Sequence, residues 1–377
     1  MMKRFGARLT ALLLALALLT VSGLCAPLGG AAQADKAAAK QFGARSGKLL
    51  AQQDIVPAGT SAADWLAIAL ALSGVEEDYN AYRTALAENV SARYAESGGL
   101  DAVRATEYHR VALTVLALGG DPTAFGQDAD GTPIDLIADG TYSYAGELGK
   151  QGLNGWIFAL IALDASGAEV PADAAHSRED MVSAIVSAQN EDGGFGLLSG
   201  GKSDVDLTAM ALQALAPYED QYGETVARAL DYLAGQLTED CGFVGYDEEN
   251  LESTAQVVLA LCALGRDPAK EAQFCRDGKT LLTGMDRFRM DDGLYRHALT
   301  DQMGDMMATE QALLAGAALE RLRTGGPRIY DFTGYEAPPQ SGGSPWPWAA
   351  GAAAALLGAA AIWIFLRKRK HHAEKNG

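Results

Sequence analysis

Residues 193–215 read GGFGLLSGGKSDVDLTAMALQAL: a glycine turn, a short polar loop and an apolar helix that opens on Asp204 and Asp206. Near-copies of that helix are ADWLAIALALSG from Ala63, YHRVALTVLALGGDP from Tyr108, NGWIFALIALDASG from Asn154, STAQVVLALCALGRDP from Ser253 and ATEQALLAGAALERL from Ala308. Six helices of one kind, roughly 45 to 55 residues apart, are the self-similarity of an array of helical hairpins. Each is apolar on nearly every side, so each must be buried on every side.

A more polar segment precedes each apolar helix: Lys36 to Gln52, Glu76 to Tyr94, Pro122 to Ile137, Ala172 to Gln189, Gln221 to Gln236 and Ala269 to Phe288. Apolar residues there recur at three and four, as in Met181, Ile185 and Ala188, which predicts amphipathic helices covering the apolar ones. Gly98-Gly99, Asp192-Gly193-Gly194-Phe195, Cys241-Gly242-Phe243 and Asp292-Gly293-Leu294-Tyr295 supply the turns between the partners. No run of alternating strands stands out. The expected body, residues 35–325, is all helix, six hairpins closed into a ring with the apolar helices inside.

The two ends carry different signals. Lys3, Arg4 and Arg8 precede an apolar run to about Leu24, and Ala32-Gln33-Ala34 supplies a small-x-small cleavage site, so residues 1–34 read as a secretory signal peptide. Residues 326–347 read as a Pro/Gly/Ser linker. Residues 348–366 form an uncharged run of the length that spans a bilayer, and the basic tail 367–377 begins Arg367, Lys368, Arg369, Lys370. With the basic tail held inside, the body faces outward. Within the linker, Pro338-Pro339-Gln340-Ser341-Gly342 resembles a sortase sorting signal of Gram-positive bacteria, which implies attachment to the wall.

The chain carries 48 acidic and 30 basic residues, a net charge of −18, and the body is more acidic than the whole because basic residues crowd the two ends. Nucleic acid is excluded as a partner on that balance. Cys241, Cys262 and Cys275 form no CxxC pair, so neither a zinc-finger spacing nor a disulfide framework is present, and Cys262 reads as a small core residue.

On residues 193–215 and their echoes, the chain resembles the terpenoid cyclase and protein prenyltransferase superfamily of α/α toroids, which implies an α6/α6 toroid of inner and outer rings. In the squalene-hopene cyclases a DxDD-Thr-Ala motif opens an inner helix, and its middle aspartate protonates the alkene. The matching residues are Asp204, Val205, Asp206, Leu207, Thr208 and Ala209. The resemblance makes Asp206 the general acid with Asp204 beside it, and puts leucine at the last aspartate. In the protein prenyltransferases the same place holds zinc through an Asp-x-Cys pair and a later histidine. Here Asp206 stands where cysteine belongs, and Met306, Met307 and Ala308 occupy the region of the histidine, so no metal site is implied. The cobalamin carriers open inner helices on segments similar to Val205-Asp206-Leu207-Thr208-Ala209-Met210-Ala211, which implies a corrinoid as ligand.

Bland duties compete for the same residues. Ser203 followed by Asp206 fits the capping pattern of a helix start, where side-chain oxygens satisfy free N–H groups. Glu252, Ser253 and Thr254 repeat the acidic start in the fifth helix, and Thr309 with Glu310 does so in the sixth. If the inner helices run parallel, these starts gather at one mouth, where Tyr108, His109, Asn154, Trp156, Thr208, Tyr246, Glu252, Thr254, Tyr295 and His297 could grip a ligand. The sequence thus predicts an exported, anchored toroid that binds a small hydrophobic or corrinoid-like molecule or a surface partner. The alternative is an isoprenoid-processing enzyme with Asp206 as acid.

Overall fold

The computed structural model describes residues 57–337. The signal segment, the helix expected over 36–52, the sorting-type motif, the apolar run 348–366 and the basic tail lie outside the described residues. Among the described residues no helix is long and apolar enough to cross a membrane.

Six inner helices, α1 (Ser61–Leu72), α3 (Thr106–Ala117), α5 (Leu153–Ser166), α7 (Val205–Leu215), α9 (Leu251–Ala263) and α11 (Met306–Thr324), pack each against the next. The last, α11, packs against α1, which closes the ring. Their burial follows composition: α9 is buried at every position but Gln256, and Ala255, Ala260 and Ala263 let neighbouring helices approach closely.

Outer helices α2 (Tyr79–Ser97), α4 (Leu136–Gly140), α6 (Arg178–Ser187), α8 (Glu219–Gln236) and α10 (Leu281–Asp286) alternate with them. In α2, Tyr79, Tyr82, Leu86, Val90 and Tyr94 form one buried stripe at helical spacing while the other face is solvated. Two outer helices are far shorter than the sequence led us to expect. Across 122–135 the side chains of Asp121 and Asp128 accept the amides of Thr123, Asp130 and Thr132, turns that compete with helix, so only α4 forms, capped by Asp135. Across 269–280, Asp277 and Gly278 take positive φ in a tight turn, and α10 starts only at the Thr280 cap. A second departure is a small antiparallel hairpin, β1 (Phe243–Gly245) with β2 (Glu248–Asn250), between α8 and α9.

The start of three inner helices is built to one pattern. Asp204, Asn250 and Asp305 are the N-caps of α7, α9 and α11, each accepting the amide three residues on. Four residues after each cap, Thr208, Thr254 and Thr309 accept the backbone N–H of Phe195, Phe243 and Tyr295 and donate to the cap residue's own carbonyl. The glycine turn is thereby pinned to the helix it feeds. The turns themselves repeat too: Gly193 and Gly293 hold φ of 88° and 85°, and in the fifth repeat Cys241 takes the same place at 58°. Gly155 answers a closer approach, since a Cβ there would stand 1.6 Å from the Leu148 carbonyl oxygen. Thr254→Val, which keeps the shape and leaves the buried Phe243 N–H unpaired, is expected to lower stability by about 1–3 kcal/mol in urea unfolding. An unchanged midpoint would mean that the threonine does not pin the turn.

At the C-terminal ends of the inner helices the chain itself closes the ring. The segment after Gly325 crosses that mouth, with Arg328 donating to the carbonyls of Ala263 (2.8 Å) and Ala216 (3.3 Å) and the Tyr335 hydroxyl donating to Ala117 (3.0 Å). These are carbonyls that helix ends leave without an intrahelical partner. A cavity of about 430 Å³ lies beneath the segment, lined by Asp164, Arg178, Tyr218 and Arg328 among others.

Candidate functional site

The opposite end of the ring, where the inner helices begin, holds a cavity of about 820 Å³ to which all six inner helices contribute. Helical spacing turns one narrow stripe of each toward it: Trp65 on α1, Arg110 on α3, Asn154 and Phe158 on α5, Met210 and Gln213 on α7, Gln256 on α9, Met307, Glu310 and Leu314 on α11. Trp65 and Phe158 meet edge to face at 6.0 Å over the intervening helix. Tyr330, from the segment that closes the far mouth, lines this cavity and the smaller one, as does Gln213.

Polar groups on the wall fall into three sets. Gln213 donates to Gln256 at 2.9 Å and Gln256 to Gln311 at 3.1 Å, a ladder that crosses three inner helices. Arg110 is tied down completely: its Nε donates to Asp64 (2.9 Å), Nη1 to Glu107 (2.7 Å), and Nη2 to both Glu107 and the Gly59 carbonyl. Asp64, fully buried, also accepts from the Tyr82 hydroxyl at 2.7 Å and the Gly59 amide. Burial pushes the Asp64 carboxyl up, and Arg110, Tyr82 and Gly59 pull it back.

Glu310 is the third set and differs from the others. It is 6% exposed and has no hydrogen-bond or ion-pair partner among the described residues. Desolvation, with the negative charge of Asp305 and Glu252 added, pushes its carboxyl up to about 9. At neutral pH it carries its proton, and it presents a neutral O–H donor to the cavity.

Of the residues singled out from sequence, Asp204, Asp206, Glu252 and His297 neighbour one another by the starts of α7 and α9, and the others are scattered. Asn154 lines the cavity, with its Oδ1 buried and unpartnered. Asp204 caps α7, which corrects the expectation that Ser203 does so: Ser203 donates to Asp192 and accepts from Asn190. Asp206 sits in the first turn of α7 outside the cavity lining, its Oδ1 buried without a partner, and burial beside Asp204 and Glu252 raises it to about 6. Glu252 holds the same position in α9 and lies 2.9 Å from Nδ1 of His297, whose pKa that contact raises. Thr208, Thr254 and the backbone of Tyr295 belong to the pins described above. Tyr108 packs edge to face against Tyr94 and Tyr144 and its hydroxyl accepts the Leu100 amide. His109, 1% exposed, bonds the Gly140 carbonyl through Nε2, and burial lowers it to about 4, a neutral structural histidine. Trp156 stands against His176. Tyr246 is 89% exposed on the hairpin turn.

The chain is similar to known proteins at three levels. The family model described as prenyltransferase alpha-alpha toroid domain matches residues 143–233 and 223–332, together just over half of the chain. A drimenyl diphosphate synthase of Streptomyces showdoensis is 24% identical over 245 residues, which are 64% of this chain and 45% of the synthase; the chain thus spans under half the length of that relative. The structure of Candida albicans protein geranylgeranyltransferase-I complexed with GGPP superimposes with a TM-score of 0.51 at 12% identity, covering 76% of this chain and 91% of that one, a likeness of fold.

Proposed function

The chain belongs to the prenyltransferase alpha-alpha toroid family, and from that premise we propose that its ring is a receptor for one apolar, isoprenoid-class molecule, held outside the cell by a membrane-anchored C-terminus. The observation that carries this reading is the cavity of about 820 Å³ with aromatic and methionine walls and a single carboxylic acid that keeps its proton. Trp65, Phe158, Met210 and Leu314 supply contact for a hydrocarbon chain, and Glu310 supplies one donor to fix its orientation.

Holding, rather than transforming, fits the chemistry of Glu310. A carboxyl raised to about 9 is a weak acid, and giving up its proton would leave a buried anion with no partner. Protonating an alkene needs a strong acid whose conjugate base is stabilised. The similarity to the Streptomyces synthase favours a second reading, an isoprenoid-processing enzyme with Asp206 as acid. That reading requires substrate to reach the first turn of α7. A corrinoid is a third ligand to test; the cavity lining contains no histidine or cysteine to ligate its metal. The signal peptide, membrane span and basic tail read from the sequence support export and anchoring.

Native mass spectrometry of the full-length chain with squalene, geranylgeraniol, farnesyl diphosphate, cobalamin and wall oligosaccharides tests the proposal. One-to-one retention of a prenyl compound, unaltered in mass, is expected. Conversion of a prenyl compound that Asp206→Asn abolishes would establish the enzyme instead. An adduct with cobalamin or oligosaccharide alone would overturn the isoprenoid reading.

A further inference from the structure

The charges around the cavity define which isoprenoid it takes, an inference that rests on the receptor reading above. We infer that the ligand is an uncharged isoprenoid with a hydrogen-bond-accepting oxygen at its head, such as a prenyl alcohol, and not a prenyl diphosphate.

A diphosphate buried in protein needs cations or free N–H groups directed at it. Only two lining residues are cationic, Arg104 and Arg110. Arg110 is committed to Asp64, Glu107 and the Gly59 carbonyl, and Arg104 to Asp101 at 2.8 Å with Glu107 at 3.9 Å. Glu107 and Asp305 also line the cavity and balance the two guanidiniums, which Asp64 and Asp101 hold from behind the wall, so the wall carries no net positive charge even with Glu310 neutral.

Six helix N-termini at one mouth would ordinarily attract an anion. Here the protein's own acids occupy that field at five of the six, the start of α5 having neither an acid in its first turn nor a side-chain cap. Asp64, Glu107, Asp206 and Glu252 lie in the first turns of α1, α3, α7 and α9, while Asp204 and Asp305 cap α7 and α11. At those five starts incoming phosphate oxygens would meet carboxylates.

What remains on the wall suits a neutral oxygen. The protonated Glu310 donates one hydrogen bond, and the Gln213–Gln256–Gln311 ladder ends with the Gln311 amide nitrogen unbonded among the described residues. The buried, unpartnered Oδ1 of Asn154 is an acceptor, which a hydroxyl can meet and a phosphate oxygen cannot.

The test compares radiolabelled geranylgeraniol with geranylgeranyl diphosphate, identical in chain and different in head, retained by the full-length chain in nanodiscs over empty nanodiscs. The alcohol is expected to bind at least about tenfold more tightly at pH 7. Glu310→Leu, which removes the donor, should weaken retention of the alcohol by about tenfold, or about 1.4 kcal/mol, and retention unchanged by it would overturn the inference on the head group. Equal retention, or preference for the diphosphate, overturns the inference on the head group and leaves the isoprenoid receptor standing. Retention of neither overturns both.

Discussion

Arg110→Ala is expected to lower stability by about 3–5 kcal/mol, the range for breaking a buried ion pair from one side. The reason lies in what stays behind. Asp64 is fully buried, and without Arg110 it keeps only the Tyr82 hydroxyl and the Gly59 amide, so a carboxylate is left without a counter-charge between α1 and α3. Glu107 loses a two-pronged partner as well, retaining Arg93 at 3.4 Å and Arg104. In a domain of this size the loss corresponds to a fall of roughly 10 °C in the thermal midpoint. The pH dependence separates lost charge from lost packing. With Arg110 gone, only the Tyr82 and Gly59 hydrogen bonds oppose the upward push of burial on Asp64, whose folded pKa then rises further above its unfolded value. The variant should therefore regain stability as pH falls from 7 toward 4, because the folded state takes up the proton first. The double change Asp64→Leu with Arg110→Met removes both charges and should recover most of the loss. A variant that melts like the parent at pH 7 would show that the pair holds nothing together.

These charged residues also mark where sequence reading succeeded and where it stopped. The inner ring was legible because six stretches repeat one apolar pattern, and a helix apolar on all sides has one place to go. The caps were legible as a class, though Asp204 took the role expected of Ser203. Thr208 and Thr254 look like a polar rim in sequence, yet their hydroxyls serve the aromatic turns ahead of them. That bond joins residues 11 to 13 apart through a fold not yet formed when one reads a string. The short outer helices were missed because Asp121 and Asp128 offer their own backbone an alternative to helix. The site itself was half visible. Glu310 stands in the pattern of acidic starts, but in the string Asp206 outranks it by its likeness to a known motif. A usable signal was present all the same. Asp64, Arg110 and Glu310 are charges inside helices buried all round, so each had to face either a counter-charge or a cavity, and only Glu310 lacks the counter-charge.

Glu310→Gln is expected to stabilise the protein by about 3 kcal/mol at pH 7, the opposite of what most buried substitutions do. The sign follows from linkage. Below the unfolded value of 4.5 the carboxyl is protonated in both states and its titration has no effect. Between there and the folded value of about 9, the unfolded chain ionises while the folded one does not. Stability is therefore lost as pH rises, by about 1.4 kcal/mol per unit, until the folded pKa is passed. Glutamine has the same shape, offers a donor and does not titrate, so it escapes the loss. Asp206, raised to about 6, adds a slope of the same sign at lower pH, but it is present in both proteins and cancels in the difference. Urea unfolding at pH 5, 7 and 8 should thus give a gap between variant and parent that widens with pH. Parallel profiles would mean that Glu310 is ionised in the folded ring and has found a counter-charge. A widening gap carries a further consequence. A residue that destabilises the ring at neutral pH, and that one amide could replace, does not serve stability. Its place on the wall of the larger cavity gives it a duty toward what the cavity holds.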